Sequence, residues 1–172
     1  MCGILGFIEH QQGRGRQDMQ NIGRAMARTL SHRGPDDEGL WQDPDVPLLL
    51  GQRRLSIIDL SPEGHQPMES HSGRYVVSFN GEIYNFPELR KELQEAGAKF
   101  RGRSDTEVML GAFDVWGVSR TLQKIDGMFA IILWDKKQRQ IHFVRDRLGK
   151  KPLYVGWAGK NLVFGSELKA LR

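Results

Sequence analysis

Cysteine is almost absent from this chain of 172 residues, which has a single one at position 2. One cysteine can form neither an internal disulfide nor a thiolate metal site. The five histidines, at positions 10, 32, 65, 71 and 142, are scattered without the spacing of metal ligands. We therefore expect no structural metal.

Long apolar runs are also missing. Runs such as residues 46–50 and 130–134 are far too short to span a membrane. The first ten residues lack the basic stretch of a signal peptide and reach an acid at Glu9. These features predict a protein without a membrane partner, in the cytoplasm.

Nucleotide and nucleic-acid motifs are absent as well. The net charge is +4, but lysine and arginine are spread out and interleaved with acids, so we expect no nucleic-acid partner. The glycines around Arg14 lack the third glycine of a dinucleotide loop, and no P-loop pattern occurs. We therefore expect no cofactor on this chain.

What remains is the composition of a globular domain. Hydrophobic residues make up 39% and charged residues 27%, and the length suits one domain over residues 1–172. Apolar periodicity predicts helices at 16–31, 86–96 and 105–116, the last opened by a Ser104–Glu107 capping box. Strands are predicted at 3–9, one or two within 47–58, 75–79, 128–134, 140–145, 153–157 and 161–164.

The fold class follows from the burial that these patterns indicate. Residues 128–134 are apolar on both faces, so this strand is expected to be covered on both sides. Stacked sheets with helices outside predict an α+β fold, specifically a four-layer α/β/β/α sandwich.

Cys2 is the first candidate for chemistry. Removal of Met1 would leave its thiol beside a free α-amine on the same Cα, and that amine could take the thiol proton as general base. The alternative is a small, buried and inert cysteine on an edge strand, because free cysteine is commonly buried.

A series of short motifs in chain order resembles the glutaminase domain of glutamine-hydrolysing asparagine synthetases, a class II amidotransferase domain among the N-terminal nucleophile hydrolases. The resemblance covers nearly the whole chain. The motifs are Cys2-Gly3-Ile4-Leu5-Gly6, Ser31-His32-Arg33-Gly34-Pro35-Asp36, Arg54-Leu55-Ser56-Ile57-Ile58-Asp59, Phe79-Asn80-Gly81-Glu82-Ile83-Tyr84-Asn85, Ser104-Asp105-Thr106-Glu107, Asp126-Gly127-Met128-Phe129-Ala130, Arg145-Asp146-Arg147-Leu148-Gly149, Pro152-Leu153-Tyr154 and Ser166-Glu167-Leu168-Lys169-Ala170-Leu171.

The resemblance implies a reaction and its catalytic residues. Cys2 would attack the side-chain amide of L-glutamine, release ammonia and form a thioester that water converts to glutamate. The Asn80 side-chain amide and the Gly81 N–H would stabilise the oxyanion. From the residues alone, Asn80-Gly81 indicates a tight hairpin turn instead.

The resemblance also implies the groups that hold free glutamine. Arg54 would pair with the α-carboxylate, and Asp105, assisted by Glu82, would pair with the α-ammonium. Because side chains alternate along a strand, only one of Arg53 and Arg54 should face the pocket, and the motif selects Arg54.

Three further segments receive lesser roles. By the resemblance, backbone groups of Leu55 and Ile57 would line the same pocket. Residues 32–36 are expected to shape the pocket without taking part in chemistry, and residues 145–154 are expected to form a turn between strands.

The family continues into a second domain that uses ATP and Mg to adenylate aspartate, and no motif for it occurs in this sequence. The chain is therefore expected to be either an excised domain or a glutaminase with a separate synthetase partner. The sequence does not identify the compound that accepts the ammonia, and the candidates include sugar acids. The alternatives are a glutaminase domain of the kind found in glutamine phosphoribosylpyrophosphate amidotransferase or glucosamine-6-phosphate synthase, a glutamine-binding regulatory domain, and a basic interaction module.

Overall fold

The computed structural model describes residues 1–10, 13–57 and 61–172. Within them lie nine strands: β1 (Gly3–Ile8), β2 (Asp37–Gln42), β3 (Leu48–Arg54), β4 (Met68–Glu69), β5 (Tyr75–Ile83), β6 (Gly127–Asp135), β7 (Gln140–Arg145), β8 (Tyr154–Ala158) and β9 (Asn161–Gly165). The helices are α1 (Arg16–Thr29), α2 (Phe86–Glu95), α3 (Asp105–Trp116) and α4 (Val118–Lys124).

The strands form two antiparallel sheets. The first has the order β2-β3-β1-β9-β8, and the second has the order β4-β5-β6-β7. Strand β1 lies in the middle of the first sheet, where Ile4 pairs with Gln52 of β3 and Gly6 pairs with Phe164 of β9. The N-terminus is thereby fixed between two strands that are distant in sequence.

Three apolar clusters separate four layers. Helix α1 covers the outer face of the first sheet, with Met19 and Leu49 in the shared cluster. A second cluster, which includes Ile4 and Ile132, fills the space between the sheets. Helices α2 and α3 pack on the outer face of the second sheet through residues such as Leu93. The α+β class and the α/β/β/α layering predicted from the sequence are confirmed.

Most predicted elements are found with shifts of one or two residues at their ends. The single strand β3 occupies the middle of the 47–58 segment, whose last residue, Ile58, lies outside the described residues. Strands β2 and β4 and helix α4 were not predicted. They are a half-exposed edge strand, a two-residue strand and a seven-residue helix, and none is long or apolar enough to produce a clear period.

The hairpin turn indicated by Asn80-Gly81 is wrong, because β5 continues through both residues to Ile83. Asn80 pairs with Ala130 and Gly81 with Phe129 on β6. A Cβ at Gly81 would overlap the Met128 carbonyl oxygen and come within 2.7 Å of the Phe129 Cβ. Glycine is present there because two strands approach closely, not because the chain turns.

Among the described residues, no helix combines the length and the apolar character needed to cross a membrane.

Candidate active site

The two-residue period of three strands brings the candidate side chains into one layer. Ile4 of β1 packs in the cluster between the sheets, and Cys2, two residues earlier, points the same way. Arg54 on β3 and Asn80 and Glu82 on β5 share this alternation with the inward-facing residues of their strands. They meet at the end of the inter-sheet layer, where the apolar packing gives way to a pocket.

One pocket contains every residue that the sequence analysis assigned to the site. Its lining includes Cys2, Arg54, Leu55, Ile57, Asn80, Gly81, Glu82 and Asp105. These residues come from the start of β1, the end of β3, the following loop, β5 and the first turn of α3. The assignment of their roles remains a prediction, but the structure brings all of them together.

Cys2 is a partly buried free thiol at the pocket wall. The Leu55 N–H donates to its Sγ at 3.4 Å, and the Leu55 carbonyl oxygen lies 3.7 Å from the same atom. The Cys2 carbonyl oxygen accepts a hydrogen bond from Arg33 Nε at 3.0 Å. Main-chain and side-chain contacts therefore hold the cysteine on both sides.

Asn80 presents a donor that nothing in the described chain satisfies. Its side chain is 1% exposed, and Nδ2 is buried without a hydrogen-bond partner among the described residues. Buried polar groups are normally paired, so an unpaired amide donor in a pocket wall is unusual. A ligand oxygen in the pocket would supply the missing acceptor.

The Gly81 N–H faces away from β6. The Tyr84 N–H donates to the Asp126 carbonyl oxygen. Because backbone groups alternate along an antiparallel strand, the N–H groups of even-numbered residues of β5 point to β6, and those of odd-numbered residues point to the opposite edge. On that edge the Phe79 N–H donates to Gln66 Oε1 at 2.7 Å and the Ile83 N–H donates to Asp105 Oδ2 at 2.9 Å. The Gly81 N–H lies between these two and faces the pocket.

Arg54 is almost fully buried, and its Nη1 donates to the Ser61 carbonyl oxygen at 3.2 Å. Gly64 lies directly against the guanidinium, since a Cβ there would overlap it. The neighbouring Arg53 turns away and bonds Gly34 O at 2.9 Å and Glu38 at 2.8 Å. Only Arg54 of this pair lines the pocket, as strand alternation requires.

Asp105 is the buried carboxylate of the pocket. Burial raises its pKa above the usual value, and the negative charge of Glu82 raises it further, whereas hydrogen bonds from the Ile83 and Thr106 N–H groups lower it. Helix α3 presents Asp105 in its first turn, where Ser104 Oγ accepts the Glu107 N–H at 3.2 Å. A cation in the pocket would stabilise the charged form of this carboxylate.

The loop at 32–36 acts beside the pocket and does not line it. Arg33 bonds the Cys2 carbonyl and pairs with Glu167 at 2.9 Å. The expected pocket-shaping role would therefore be indirect and pass through the backbone of Cys2.

Sequence reasoning missed several pocket residues, including Gly64, Gln66 and Lys151. Gln66 carries no pattern that would single it out. Lys151 belongs to the 145–154 segment, which does form the predicted turn, braced by Arg145 Nε on the Lys151 carbonyl at 3.0 Å. Its side chain nonetheless brings a buried positive charge to the pocket.

No group of three or more His, Cys, Asp or Glu side chains in the described ranges could hold a metal ion. The absence of a cofactor on this chain stays a prediction.

Comparisons with known proteins agree on one kind of domain. A family model described as "Glutamine amidotransferase domain" matches residues 1–172. Asparagine synthetase [glutamine-hydrolyzing] 3 of Bacillus subtilis (strain 168) is 40% identical over 173 residues, which cover 99% of this chain and 27% of that protein. A putative asparagine synthetase [glutamine-hydrolyzing] of Mycobacterium tuberculosis (strain ATCC 25618 / H37Rv) is 38% identical over 182 residues, or 99% of this chain and 28% of its own.

Among solved structures, glutamine phosphoribosylpyrophosphate amidotransferase from B. subtilis superposes with a TM-score of 0.81 at 21% identity, covering 99% of this chain and 43% of that one. This likeness shows the fold, the α/β/β/α sandwich. The chain spans about a quarter of the length of the curated relatives it matches.

Proposed function

The chain belongs to the family of glutamine amidotransferase domains, and from that premise we propose that it hydrolyses L-glutamine to glutamate and ammonia with Cys2 as the nucleophile. The observation that carries the proposal is the convergence of a free thiol, an unpaired buried amide donor, an arginine and a buried carboxylate on one pocket. These are the groups that a glutamine amide and its two charged ends require.

The first step is the release of the base. Removal of Met1, which lines the same pocket, would free the α-amine of Cys2 and open space beside the thiol. The amine takes the thiol proton, and Sγ attacks the side-chain amide carbon of glutamine. The C=O bond opens to a tetrahedral oxyanion, which accepts hydrogen bonds from Asn80 Nδ2 and the Gly81 N–H.

The next steps release the two products. The α-ammonium gives its proton to the leaving nitrogen as the C–N bond breaks, which releases ammonia and leaves a γ-glutamyl thioester on Cys2. Water then attacks the thioester while the α-amine takes its proton. The second oxyanion collapses to glutamate, and the sulfur regains its proton.

Binding of glutamine would use the charged side chains of the pocket, which hold the two charged groups on the Cα of the substrate. Arg54 pairs with the α-carboxylate, since a guanidinium can donate two parallel hydrogen bonds to it. Asp105 pairs with the α-ammonium, and the charge of Glu82 reinforces the attraction. Backbone groups of Leu55 and Ile57 complete the wall.

We further propose that the ammonia serves an ATP-dependent amidation of the asparagine synthetase type. The names of the relatives support this, because three quarters of their length lies outside the region that this chain matches. ATP and Mg would bind to that synthetase part. The cytoplasmic location stays a prediction from the sequence.

The test combines mass and activity. The purified protein should have an intact mass lacking methionine, should form glutamate and ammonia from glutamine, and should take up one molecule of 6-diazo-5-oxo-L-norleucine. Cys2 is the only cysteine in the sequence, so a thiol adduct has one possible site. The Cys2→Ala variant should lose both hydrolysis and the adduct while it still binds glutamine in calorimetry.

A processed, folded protein that takes up no adduct and forms no glutamate would exclude the enzymatic proposal. If that protein still bound glutamine, the regulatory reading would replace it.

A further inference from the structure

Strand β5, which carries the proposed oxyanion donors, has an edge that no strand in the described part of the chain covers at the site. Strand β4 pairs only with Val76 and Val77, so the ladder on that side ends before Phe79. The outward N–H and C=O groups of Phe79 would be unpaired there, and an unpaired strand edge is free to bend or to bind elsewhere.

Two side-chain amides bond to these groups. Gln66 Oε1 accepts the Phe79 N–H at 2.7 Å, and Gln52 Nε2 donates to the Phe79 carbonyl oxygen at 2.6 Å. Gln52 lies on β3 in the other sheet, whereas Gln66 lies in the loop before β4. We call this pair of bonds the Phe79 clamp.

The Gln52 side chain is otherwise poorly satisfied at its position. It is 0% exposed, and its Oε1 is buried without a partner among the described residues. An apolar side chain of similar size would avoid that unpaired acceptor. Among the described residues, the one hydrogen bond of the Gln52 side chain is to Phe79, so this bond is the physical reason for an amide here.

Gln66 connects the clamp to helix α3. Its Nε2 donates to Thr106 Oγ1 at 3.2 Å, in the first turn of α3 beside Asp105. The two amides thus tie together β3, β5 and α3. The residues immediately after the clamped one are Asn80 and Gly81.

We propose that Gln52 and Gln66 are positioning residues for the oxyanion donors, because they fix the Phe79 unit and with it the directions of the Asn80 amide and the Gly81 N–H. The inference rests on the proposed glutamine hydrolysis. Preorganised donors act only when they are held close to the productive geometry by their supporting residues. The clamp does not hold the charged ends of glutamine, so its loss changes turnover more than binding.

The experiment uses Gln52→Leu, Gln66→Leu and the double variant. A misplacement of about 1 Å can cost roughly 100-fold in rate, so we expect kcat to fall by about 10- to 100-fold in each single variant. In Gln52→Leu, which loses no bond to α3, the glutamine KM should change by no more than about twofold, since uniform binding is preserved. The double variant should lose less than the product of the single losses, because both bonds hold the same residue.

Two further variants separate positioning from packing. Gln66→Glu keeps an oxygen acceptor for the Phe79 N–H and should retain more kcat than Gln66→Leu. Gln42→Leu is the matched control: that amide bonds Met19 Sδ, outside the pocket, and its loss should leave kcat unchanged.

The inference is overturned if both leucine variants fold and keep wild-type kcat. It is also overturned if KM rises in Gln52→Leu by the same factor as kcat falls. Should a leucine variant fail to fold, Gln52→Met decides: its unbranched side chain is close in size to glutamine but has no donor for the Phe79 carbonyl oxygen, so an unchanged kcat overturns the clamp. A wild-type protein without glutaminase activity would instead refute the proposed function itself.

Discussion

The place of the Arg54 guanidinium in the pocket depends on a glycine beside it. Gly64 leaves the space that the guanidinium occupies, and Ser61 accepts one of its hydrogen bonds. Asp105 is buried in the same pocket, where the charge of Glu82 acts on it. At the scale of single residues, the pocket therefore offers a guanidinium and a buried carboxyl group, which match the two charges on the Cα of a free amino acid.

Gly64→Ala tests the role of Arg54 in binding glutamine. The new Cβ would overlap the tip of Arg54, a flexible side chain that can move aside, so we expect little loss of stability but a glutamine KM raised about tenfold or more, which corresponds to about 1.4 kcal/mol. Steady-state kinetics and thermal unfolding measure the two effects. Gly156→Ala is the control, because no atom lies within 4 Å of its added Cβ. An unchanged KM in Gly64→Ala would contradict the role of Arg54.

The pKa of Asp105 predicts how binding depends on pH. Burial and Glu82 raise this pKa, so the carboxylate takes up a proton at a higher pH than an exposed aspartate would. Protonation removes the attraction for the α-ammonium, and KM should therefore rise as pH falls through the raised pKa. KM should be measured from neutral pH downward in the wild type and in Asp105→Asn. The variant should show a high KM without this acid dependence; an identical profile in both proteins would contradict the assignment.

At the scale of elements, helix α3 connects sequence signals to the site. Ser104 caps the helix as its position predicts, but the Glu107 carboxylate accepts from Arg101 and Gly102 at 2.6 and 2.9 Å, so only half of the predicted capping box forms. The cap orients the first turn, and that turn carries Asp105 into the pocket.

Ser104→Ala should affect both the helix and the site. Loss of an N-cap typically costs about 1 kcal/mol, so the free energy of unfolding in urea should fall by about that amount. The glutamine KM should rise at the same time, because the first turn carries the ammonium partner. Ser119→Ala, an exposed serine of α4, should change neither quantity. Equal stability of the two variants would show that the cap is not needed.

At the scale of the whole molecule, strand β1, which follows Cys2, is hydrogen-bonded to the C-terminal part of the chain. Ile4 exchanges two hydrogen bonds with Ser166, at 3.0 Å to the hydroxyl and 2.8 Å from its N–H. Next to it, Glu167 pairs with Arg33, which in turn holds the Cys2 carbonyl. Residues more than 130 positions apart therefore determine where Cys2 lies.

Glu167 predicts an acid-sensitive component of stability. Burial alone would raise its pKa, but hydrogen bonds from Arg33, Lys169 and His32 lower it from 4.5 to about 2. A depressed carboxylate pKa stabilises the fold above the unfolded-state value and loses that contribution as pH falls from 4.5 towards 2. Chemical unfolding across this range should show a smaller loss of stability in Glu167→Gln than in the wild type. The same slope in both proteins would exclude Glu167 as a source.

The sequence by itself determined the long helices, the strands with clear alternation, the Ser104 cap and the identity of the candidate site residues. These signals are local, since a period of 3.6 or 2 and a short motif are read within a few neighbouring positions. The α+β class also followed, because a strand that is apolar on both faces must be covered twice, and the family resemblance supported the four-layer sandwich.

Only the tertiary structure decided that β5 runs through Asn80 and Gly81, that Gly64, Gln66 and Lys151 line the pocket, and that Gln52 reaches Phe79. Each of these facts depends on contacts between distant segments: the close approach of β6 to Gly81, the reach of an amide across the two sheets, the place where a loop passes over Arg54. Such contacts leave no period and no motif in the chain, because what selects the residue is the shape of a neighbour that lies elsewhere in the sequence.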